Sequence, residues 1–534
     1  METHNALVQG NDVTSMNTAG SSSRLARRTI DNAVFNTLSW AVPAILSFLI
    51  LPFIVRSLGP DAYGILTLVL TVIGYFAFLD LGLGTAVVKY VAEYSSGGDR
   101  ETMNQLIGTI FLVLLVLGGV GACVLMLIAQ PLAASVLKVP PHLVRAAYIS
   151  FCIGSPGFFF TVLLSFLSAI PNGLNRYDVT SMMSVGMGVL TTLGTALILW
   201  FGFSLLQVVS FNVVVSIVSI AAYVVIVKRL MPGVSLRPRL CMPMLRRVLG
   251  FGLYSVLSRI AYVANYQGDR LFTGAILGVS SVTHYVVPFS LADRVSSITV
   301  RIGSVIFPAI SELHGQKRHD EIVRLYLVSS RVILALSTAV CLPLGVFGNR
   351  LVALWMGSDF GLRTVGIVEL VTLGLYMTSL TNVPSFVVDG LGRPRISGIS
   401  ASCTTILHLS LIIPLAKVLG LIGIATAFLV STAVVGPVFV YYVNRNVIMI
   451  PQLRMLKEAY AKPLAAGVVS VVPVCLVSQS HVHSVFVLLA LMGSTSLLYV
   501  VVAYAIGVFP SEAQRYVQGV VGGLLRRSVR LIRR

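Results

Sequence analysis

Long apolar runs alternate with short polar breaks along the chain, from about residue 32 to residue 508. Each run is close to the ~20 residues that an α-helix needs to cross the hydrocarbon core of a bilayer. This pattern predicts an all-α, polytopic membrane protein with about fourteen transmembrane helices. We expect the helices at residues 32–55, 63–84, 105–130, 146–170, 179–202, 206–227, 249–275, 284–308, 326–348, 365–387, 397–416, 421–443, 463–479 and 485–508.

Two neighbouring spans, 249–275 and 284–308, each carry a polar stripe that includes charged side chains. Residues three, four and seven positions apart lie on one face of an α-helix. The stripes consist of Ser255, Arg259, Tyr262, Tyr266 and Arg270 on the first span and of Ser290, Arg294, Ser297, Arg301 and Ser304 on the second. Both spans are therefore expected to turn one face away from lipid.

The depth of these arginines in the bilayer decides whether the stripes indicate a binding site. At a rise of 1.5 Å per residue, Arg259 would lie roughly 15 Å, Arg301 about 10 Å and Arg294 about 20 Å from the cytoplasmic edge. Arg270 would lie near the opposite interface. An arginine near the bilayer centre costs ~2.5–3.5 kcal/mol or more unless it faces water, a carboxylate or an anion. We therefore predict a central cavity that binds an anion.

Three carboxylates also lie within predicted spans, at Asp269, Asp293 and Glu369. They allow an alternative, in which Arg294 pairs with Asp293 or Asp269 and the other arginines reach the interface. A carboxylate at this depth is also a group that can bind a proton or a sodium ion. Asp269 and Asp293 are therefore candidates for ion coupling, although a carboxylate beside an arginine can equally serve to neutralise it.

The composition agrees with the hydropathy pattern. Of the 534 residues, 56% are hydrophobic and only 11% are charged, and the mean hydropathy is +0.91. Soluble domains are about a quarter charged, so this composition excludes one. The first apolar run follows three arginines, is too long for a signal-peptide core and has no small-residue cleavage site after it. It therefore predicts a signal anchor that stays in the protein.

The net charge of +19 comes largely from lysines and arginines in alternate loops. Because positively charged loops remain in the cytoplasm during insertion, this distribution predicts that both termini are cytoplasmic. The polar segment 1–23 is expected to be disordered. The C-terminal tail is basic and amphipathic, which is consistent with either a position on the inner leaflet or a solvated tail.

Three sequence landmarks occur twice, at a nearly constant separation. LGPDAYG (58–64) is matched by LGVSSVTHY (277–285), VKYVAEYSSGG (88–98) by VIFPAISELHG (305–315), and GLNRYD (173–178) by GLGRPR (390–395). A shift of six helices preserves orientation, so the halves are predicted to be parallel repeats. The predicted organisation is a disordered segment at 1–23, a six-helix lobe at 24–228, a basic linker at 229–247, a second six-helix lobe at 248–445, two further helices at 446–508 and the tail at 509–534.

Three motifs, SLGPDAYGILTL, LDLGLGTAVVKYVAEY and GDRLFTGAILG, resemble those of the Wzx-type polysaccharide flippases of the MOP exporter superfamily. The resemblance covers roughly residues 30–445. It implies a V-shaped, MATE-like fold of two six-helix lobes, which moves lipid-linked oligosaccharides from the inner to the outer leaflet by alternating access. It also implies that Gly59, Pro60 and Gly64 of the first motif have a structural role, which we expect to be a turn.

The same resemblance implies a bacterial inner-membrane location and a polyprenyl-pyrophosphate-linked glycan as substrate. It suggests a polysaccharide polymerase and a chain-length regulator as partners, besides membrane lipids and without nucleic acid. In that family, cationic cavity residues meet the pyrophosphate. Tyr262 and Tyr266 lie on the same stripe as Arg259, where they can stack on sugar rings or pack in the core. The predicted substrate-binding residues are Arg259, Arg294, Arg301, Tyr262, Tyr266 and Arg270.

Motifs of enzymes are missing from the sequence. It contains no GxxxxGK[ST] loop, no HExxH or GxSxG motif and no paired carboxylates on an external loop. The six cysteines have no metal-ligand spacing, so we expect no catalytic residue, cofactor or metal. Two alternatives remain open. One is a MATE-like drug or cation antiporter of the same fold. The other is a membrane glycosyltransferase or polysaccharide polymerase, which would carry a larger external loop than residues 349–364.

Overall fold

The structure is a computed structural model that describes residues 42–76, 83–97, 99–248, 267–475 and 484–509. Every regular element within these ranges is a helix. In this part of the chain nine helices are long and apolar enough to cross a membrane, or ten if a bent pair is one span. The predicted all-helical membrane fold is confirmed. The predicted number of fourteen spans is consistent with this count, because several predicted spans extend beyond the described residues.

In the first half of the chain, the described residues contain eight α-helices. They are α1 (Val42–Leu58), α2 (Pro60–Phe76), α3 (Leu83–Gly97), α4 (Arg100–Pro131), α5 (Val144–Gly173), α6 (Tyr177–Trp200), α7 (Leu205–Leu230) and α8 (242–248). A π-helical turn, Leu132–Val136, extends α4. Gly59 adopts a left-handed φ of 78°, which glycine does at little cost, and the chain bends by 118° between α1 and α2.

The described residues of the second half contain eleven α-helices. They are α9 (267–276), α10 (Val279–Gly303), α11 (Ile306–Gly315), α12 (His319–Met356), α13 (Ser358–Arg363), α14 (Ile367–Gly390), α15 (Pro394–Leu419), α16 (Leu421–Val443), α17 (Gln452–Met455), α18 (Ala461–Cys475) and α19 (Val485–Ala505). The predicted span 284–308 therefore ends at Gly303, and the segment after it is the separate helix α11. Helix α12 extends beyond the predicted span at both ends, and its first turns are polar, so hydropathy alone does not detect them.

The described residues belong to two compact units. One is drawn from the ranges 1–59, 72–132 and 142–257, and the other from 60–71, 133–141 and 258–534. In the first unit, α5 packs against α3, α4 and α7. In the second unit, α14 packs against α10, α12 and α16, and α18 and α19 pack on α12. The lobe and linker boundaries that the sequence repeat suggests stay predictions.

The repeat is visible in how a short helix packs within each unit. In the first unit, a Cβ on Gly173 of α5 would lie 2.8 Å from the Val91 Cβ of α3. In the second unit, a Cβ on Gly390 of α14 would lie 2.8 Å from the Ile310 Cγ2 of α11. The two glycines are the first residues of the GLNRYD and GLGRPR landmarks, and their neighbours lie within the matching landmarks VKYVAEYSSGG and VIFPAISELHG. Each glycine therefore allows the same close approach in its own unit.

A side-chain hydrogen bond across a tight turn repeats as well. Thr180 Oγ1 donates to Asn172 Oδ1 at 2.8 Å, which ties α6 to the end of α5. Ser397 Oγ donates to Asp389 Oδ1 at 2.5 Å, which ties α15 to the end of α14. The two acceptors directly precede the GLNRYD and GLGRPR landmarks, and the two donors follow these landmarks at equal distances along the chain. The parallel repeat predicted from three short motifs therefore extends to single hydrogen bonds.

The first turns of α2 and α10 cross within the second unit. A Cβ on Gly64 would overlap the carbonyl group of Val279, so only glycine fits there. Thr283 Oγ1 donates to the Pro60 carbonyl oxygen at 2.6 Å. The expectation that Gly64 forms part of a turn is therefore wrong. Gly59 makes the turn, and Gly64 lies inside α2 where two helix backbones meet.

The predicted basic linker is fixed along the start of α4 in the first unit. The Ser235 N–H donates to Asn104 Oδ1 at 2.9 Å, and the Arg239 N–H donates to the Gly108 carbonyl oxygen at 3.2 Å. The N–H of residue 241 donates to the side-chain hydroxyl of residue 109 at 3.1 Å. These three bonds hold consecutive parts of the linker against successive turns of one helix, so the linker is fixed along α4. We call this segment the strap.

Candidate functional site

The first predicted polar stripe can be followed only in part. Arg259, Tyr262 and Tyr266 lie outside the described residues, so their places in the site stay predictions. Arg270, the last member of that stripe, is on α9 and is partly exposed. All the charged residues of the second stripe lie on α10.

Arg270 and Arg294 meet in one charged cluster of the second unit. Both lie within electrostatic reach of the phenol of Tyr63 on α2 and of the carboxylate of Asp293 on α10. These four side chains, Arg270, Arg294, Tyr63 and Asp293, are each partly exposed rather than fully buried. We call these four residues the arginine cluster.

Arg301 lies apart from the arginine cluster. It is on the last turn of α10, seven residues or about 10 Å beyond Arg294, and it is exposed. The serines of the same stripe bond their own helix: Ser297 Oγ donates to the Arg294 carbonyl and Ser304 Oγ to the Arg301 carbonyl. Their hydroxyl groups therefore bond to backbone carbonyl groups of the same helix, and the polarity of the stripe comes from the arginines.

The three candidate carboxylates occupy different environments. Asp293 belongs to the arginine cluster. This position is also consistent with the alternative to an anion site, in which Asp293 pairs with Arg294. Glu369 Oε1 accepts the Asn349 N–H at 3.2 Å and so joins α14 to α12. Asp269 is 2% exposed and lies against two other polar side chains, those of His408 and Tyr285.

The Asp269 contacts are short. Tyr285 Oη donates to Asp269 Oδ2 at 2.5 Å, and Nε2 of His408 lies 3.1 Å from Asp269 Oδ1. The second pair is at ion-pair distance but is not aligned as a hydrogen bond. Asp269, Tyr285 and His408 come from α9, α10 and α15, so three helices meet at one carboxylate.

Sequence reasoning misses Tyr63, Tyr285 and His408 as site residues. A signal for His408 exists, because it is the only acidic or basic residue in the apolar stretch from Ser397 to Ala416. Its partner Asp269 is far away along the chain, however, and no local pattern joins them. Tyr63 is part of the LGPDAYG landmark, for which we expected only a structural role.

The arginine cluster is suited to bind a polyanion. Guanidinium groups stay charged at any physiological pH, and their planar forks match the oxygens of a phosphate or carboxylate. Tyr63 adds a hydroxyl within electrostatic reach of both arginines, and Asp293 offsets part of their positive charge. No group of three or more metal-binding side chains is found in the described part of the chain.

Comparisons with known proteins agree on a family. Residues 29–314, more than half of the chain, match the family described as polysaccharide biosynthesis protein. The chain is 23% identical over 408 residues to a putative O-antigen transporter of Shigella flexneri, covering 75% of this chain and 94% of that protein. It is 24% identical over 425 residues to the uncharacterized membrane protein EpsK of Bacillus subtilis, covering 77% and 82%.

Two solved structures show the fold. A multidrug resistance MATE family transporter of the MOP superfamily, in an inward-facing conformation, has a TM-score of 0.64 and 17% identity, covering 78% of this chain and 99% of that chain. The lipid II flippase MurJ, in an inward closed conformation, also has a TM-score of 0.64, at 15% identity, covering 89% and 99%. The chain therefore has the fold of these transporters and belongs to the polysaccharide biosynthesis protein family, which confirms the family resemblance that its motifs predicted.

Proposed function

We propose that the protein moves polyprenyl-pyrophosphate-linked oligosaccharides from the inner to the outer leaflet of the bacterial cytoplasmic membrane. Such units would serve the synthesis of a surface polysaccharide, for example an O-antigen, a capsule or an exopolysaccharide. Family membership supports the pathway, and the O-antigen transporter supports the type of cargo. The fold shared with MurJ supports alternating access as the mode of movement.

The observation that carries the proposal is the arginine cluster within a membrane fold. Arg270 and Arg294 lie on neighbouring helices, and both are within electrostatic reach of Tyr63. Two guanidinium groups at membrane depth are costly unless they face water, a carboxylate or an anion. A pyrophosphate offers several oxygens over a few ångströms, so two arginines can bind it from different helices.

The other predicted residues complete the proposed site. Arg301 would receive the pyrophosphate closer to the cytoplasmic surface, because it is exposed and lies about two turns nearer the end of α10. Arg259 would contribute a further guanidinium, and Tyr262 and Tyr266 would stack on sugar rings. The glycan and the polyprenyl tail then need only weaker contacts, because the pyrophosphate is common to all such substrates.

A MATE-like cation antiporter is less well supported, although the fold is shared. Cation binding would call for a carboxylate that is free to meet the cargo. Asp269 is engaged by His408 and Tyr285, and Asp293 lies between arginines. A membrane glycosyltransferase or polymerase has no support from the family or from the fold.

The orientation and partners belong to the proposal as well. Both termini would be cytoplasmic, in the inner membrane, because lysine and arginine are concentrated in alternate loops. A polysaccharide polymerase and a chain-length regulator would act on the cargo after it reaches the outer leaflet.

A leaflet assay tests the function directly. Purified protein would be reconstituted in liposomes with a fluorescent polyprenyl-pyrophosphate glycan, and an impermeant quencher would report the fraction in the outer leaflet. We expect the fraction open to quenching to rise much faster than in protein-free liposomes. If the liposomes extrude a fluorescent organic cation and the glycan stays in place, the protein is an antiporter and not a flippase.

A further inference from the structure

A cavity of about 450 Å³ lies in the second unit, between α12, α14 and α18. Its wall is almost entirely apolar, as is usual for ligand sites of this size. Leu373 of α14 and Leu464 and Val468 of α18 line it and are themselves exposed. Exposed apolar side chains of membrane helices face lipid tails, which are as apolar as leucine. The cavity therefore opens to the hydrocarbon of the bilayer.

The cavity has a carboxylate at one end and extends along the helices from there. Glu369 is the third residue of α14 and the lining residue nearest to the start of that helix. Tyr376, at the other end of the α14 lining, follows seven residues or about 10 Å later. The Tyr376 hydroxyl lies 2.9 Å from the hydroxyl of Thr338 on α12, so these two groups satisfy each other. A charged end near the membrane surface and an apolar space beneath it have the arrangement of a lipid headgroup and its chain.

Two oxygen atoms in the wall of this cavity lack a hydrogen-bond partner. Glu369 Oε1 accepts the Asn349 N–H, but Oε2 has no partner among the described residues. The same holds for the hydroxyl of Thr372, which is 2% exposed and lies one turn further along the same face of α14. Buried polar groups are normally hydrogen-bonded, and an unpaired carboxylate inside a membrane is costly. The two oxygens therefore indicate a ligand that carries N–H donors and positive charge.

The apolar part of the cavity and its unpaired oxygens call for one ligand with two different ends. An empty space beside lipid would forgo contacts with its apolar wall, so a hydrocarbon chain fills it. A chain alone leaves the Glu369 carboxylate unpaired. A primary ammonium group, with three N–H donors, can bond the oxygens of both Glu369 and Thr372. Phospholipids with an ethanolamine headgroup combine such a group with acyl chains.

We propose that this cavity binds one phospholipid with an ethanolamine headgroup. An acyl chain lies between α12, α14 and α18, and Glu369 and Thr372 turn their unpaired oxygens to the ammonium group. The lipid is a resident of the second unit and not cargo, since the cavity contains no residue of the arginine cluster and opens to lipid. In the proposed orientation Glu369 lies near the outer surface, which assigns the lipid to the outer leaflet. The inference goes beyond the proposed function, because this binding requires no glycan.

Native mass spectrometry of the delipidated protein would count bound lipids as each lipid is titrated. The probes are phosphatidylethanolamine, its N,N-dimethyl derivative and phosphatidylcholine, all with the same acyl chains. The three headgroups carry the same charges, but methylation removes the N–H donors in steps. We expect the affinity for the first bound lipid to fall in this order, about tenfold overall, the equivalent of one hydrogen bond to a charged group. Equal affinity for the three lipids would overturn the proposal.

Glu369→Gln tests the carboxylate, because it removes the charge and keeps an acceptor for the Asn349 N–H. The affinity of this variant for phosphatidylethanolamine should fall to that for phosphatidylcholine. Glu312→Gln, at an exposed glutamate of α11, is the matched control and should keep the wild-type order. Thr372→Val removes the second oxygen at nearly constant volume and should lose part of the preference, which decides the case if Glu369→Gln does not fold. A full preference in folded Glu369→Gln protein would refute the role of the carboxylate.

Gly345→Leu tests whether the acyl chain lies in the cavity. Gly345 lines the cavity and has nothing within 4 Å of an added Cβ, so leucine would take the place of the chain. Gly493→Leu on α19 is the matched control, since an added Cβ there also meets nothing within 4 Å and Gly493 lies outside the lining.

Phosphatidylethanolamine should raise the Tm of the wild type and of Gly493→Leu, because a ligand stabilises the folded state that binds it. The Tm of Gly345→Leu should not respond. An equal rise in all three proteins would place the lipid elsewhere. Displacement of phosphatidylethanolamine from the wild type by polyprenyl phosphate would show that the cavity takes the tail of the cargo, and the assignment to a resident lipid would fail.

Discussion

Acidic and phenolic groups near Arg270 and Arg294 offset part of their positive charge. Each has a carboxylate and the Tyr63 phenol within electrostatic reach, so the empty site does not leave a bare cation in the membrane. The Asp293 carboxylate is within electrostatic reach of both arginines, and the Asp269 carboxylate is within reach of Arg270. A pyrophosphate that enters would therefore meet two guanidinium groups whose charges are already partly offset.

Alanine at Arg270 or Arg294 should lower the rate of glycan movement about tenfold or more. A hydrogen bond to a charged group contributes ~1.5–3 kcal/mol, which corresponds to at least one factor of ten. Lysine at either position should restore part of the rate, since it keeps the charge but loses the planar fork. The leaflet assay measures both, with protein content in the membrane as a check.

Arg324→Ala is the matched control, because Arg324 is an exposed arginine at the start of α12 and lies outside the site. Its rate should equal that of the wild type. Full activity of an Arg270→Ala, Arg294→Ala double variant would leave the arginines with only a structural role.

The sequence predicts the arginine positions better than their partners. The period of the stripe places Arg294 and Arg301 on one face of a helix, and the structure agrees on the helix. For Arg270 the depth estimate suggested only that it could reach the interface, and it did not reveal the cluster with Tyr63. The contact between Asp269 and His408 depends on how α9 and α15 pack, and hydrophobic periodicity carries no information on packing partners.

At the level of whole helices, the crossing of α2 and α10 is the tightest feature described above. Pro60 begins α2, and its carbonyl oxygen accepts from Thr283. Gly64, one turn further, leaves room for the backbone of Val279. Contacts between backbones leave no flexible side chain to absorb an added atom.

Gly64→Ala should therefore destabilise the protein. The added methyl group would force α2 and α10 apart, and overpacking of this kind typically costs about 1–3 kcal/mol. Gly119→Ala is the matched control, since Gly119 lies within α4 and has nothing within 4 Å of an added Cβ. Thermal unfolding in detergent should show a lower Tm for the first variant only. Equal Tm values would mean that the crossing is looser than described.

The helices themselves follow from the sequence to different degrees. Apolar runs predict the long helices well, because a bilayer demands a minimum length of apolar residues. They predict α3 and α11 poorly, since these helices are short and partly polar and each lies at the end of a predicted span. The repeated landmarks compensate for this, because GLNRYD and GLGRPR mark the same turn in each unit.

At the scale of the whole molecule, the basic segment between the two sequence repeats is held on one unit. Arg247 of α8 donates to Tyr94 Oη at 2.9 Å and lies 3.4 Å from Glu93 Oε1. Its guanidinium also lies 5.3 Å from the centre of the Tyr90 ring. Together with the strap along α4, these contacts fix both ends of a segment that composition alone describes as a polar, charged linker.

The orientation of the molecule can be tested with single cysteines in a protein whose six native cysteines are replaced. Ser57 and Asp359 are exposed and should lie on the outer side of the membrane, because few lysines and arginines flank them. Cysteines at both positions should react with an impermeant reagent added to intact cells. A cysteine at the exposed His314 should react only after the cells are permeabilised. The reverse pattern would invert the topology.

The crossing of α2 and α10 also bears on the ancestry of the chain. Pro60 and Val279 occupy the same position in the landmarks LGPDAYG and LGVSSVTHY, and so do Gly64 and Thr283. The contact of Gly64 with Val279 and that of Thr283 with Pro60 are therefore one contact made twice with exchanged partners. A contact of this kind is what two identical polypeptides form across a two-fold axis. A gene for half of this chain could thus have encoded a homodimer with the same crossing, and duplication and fusion would have joined its two copies without the need for a new interface.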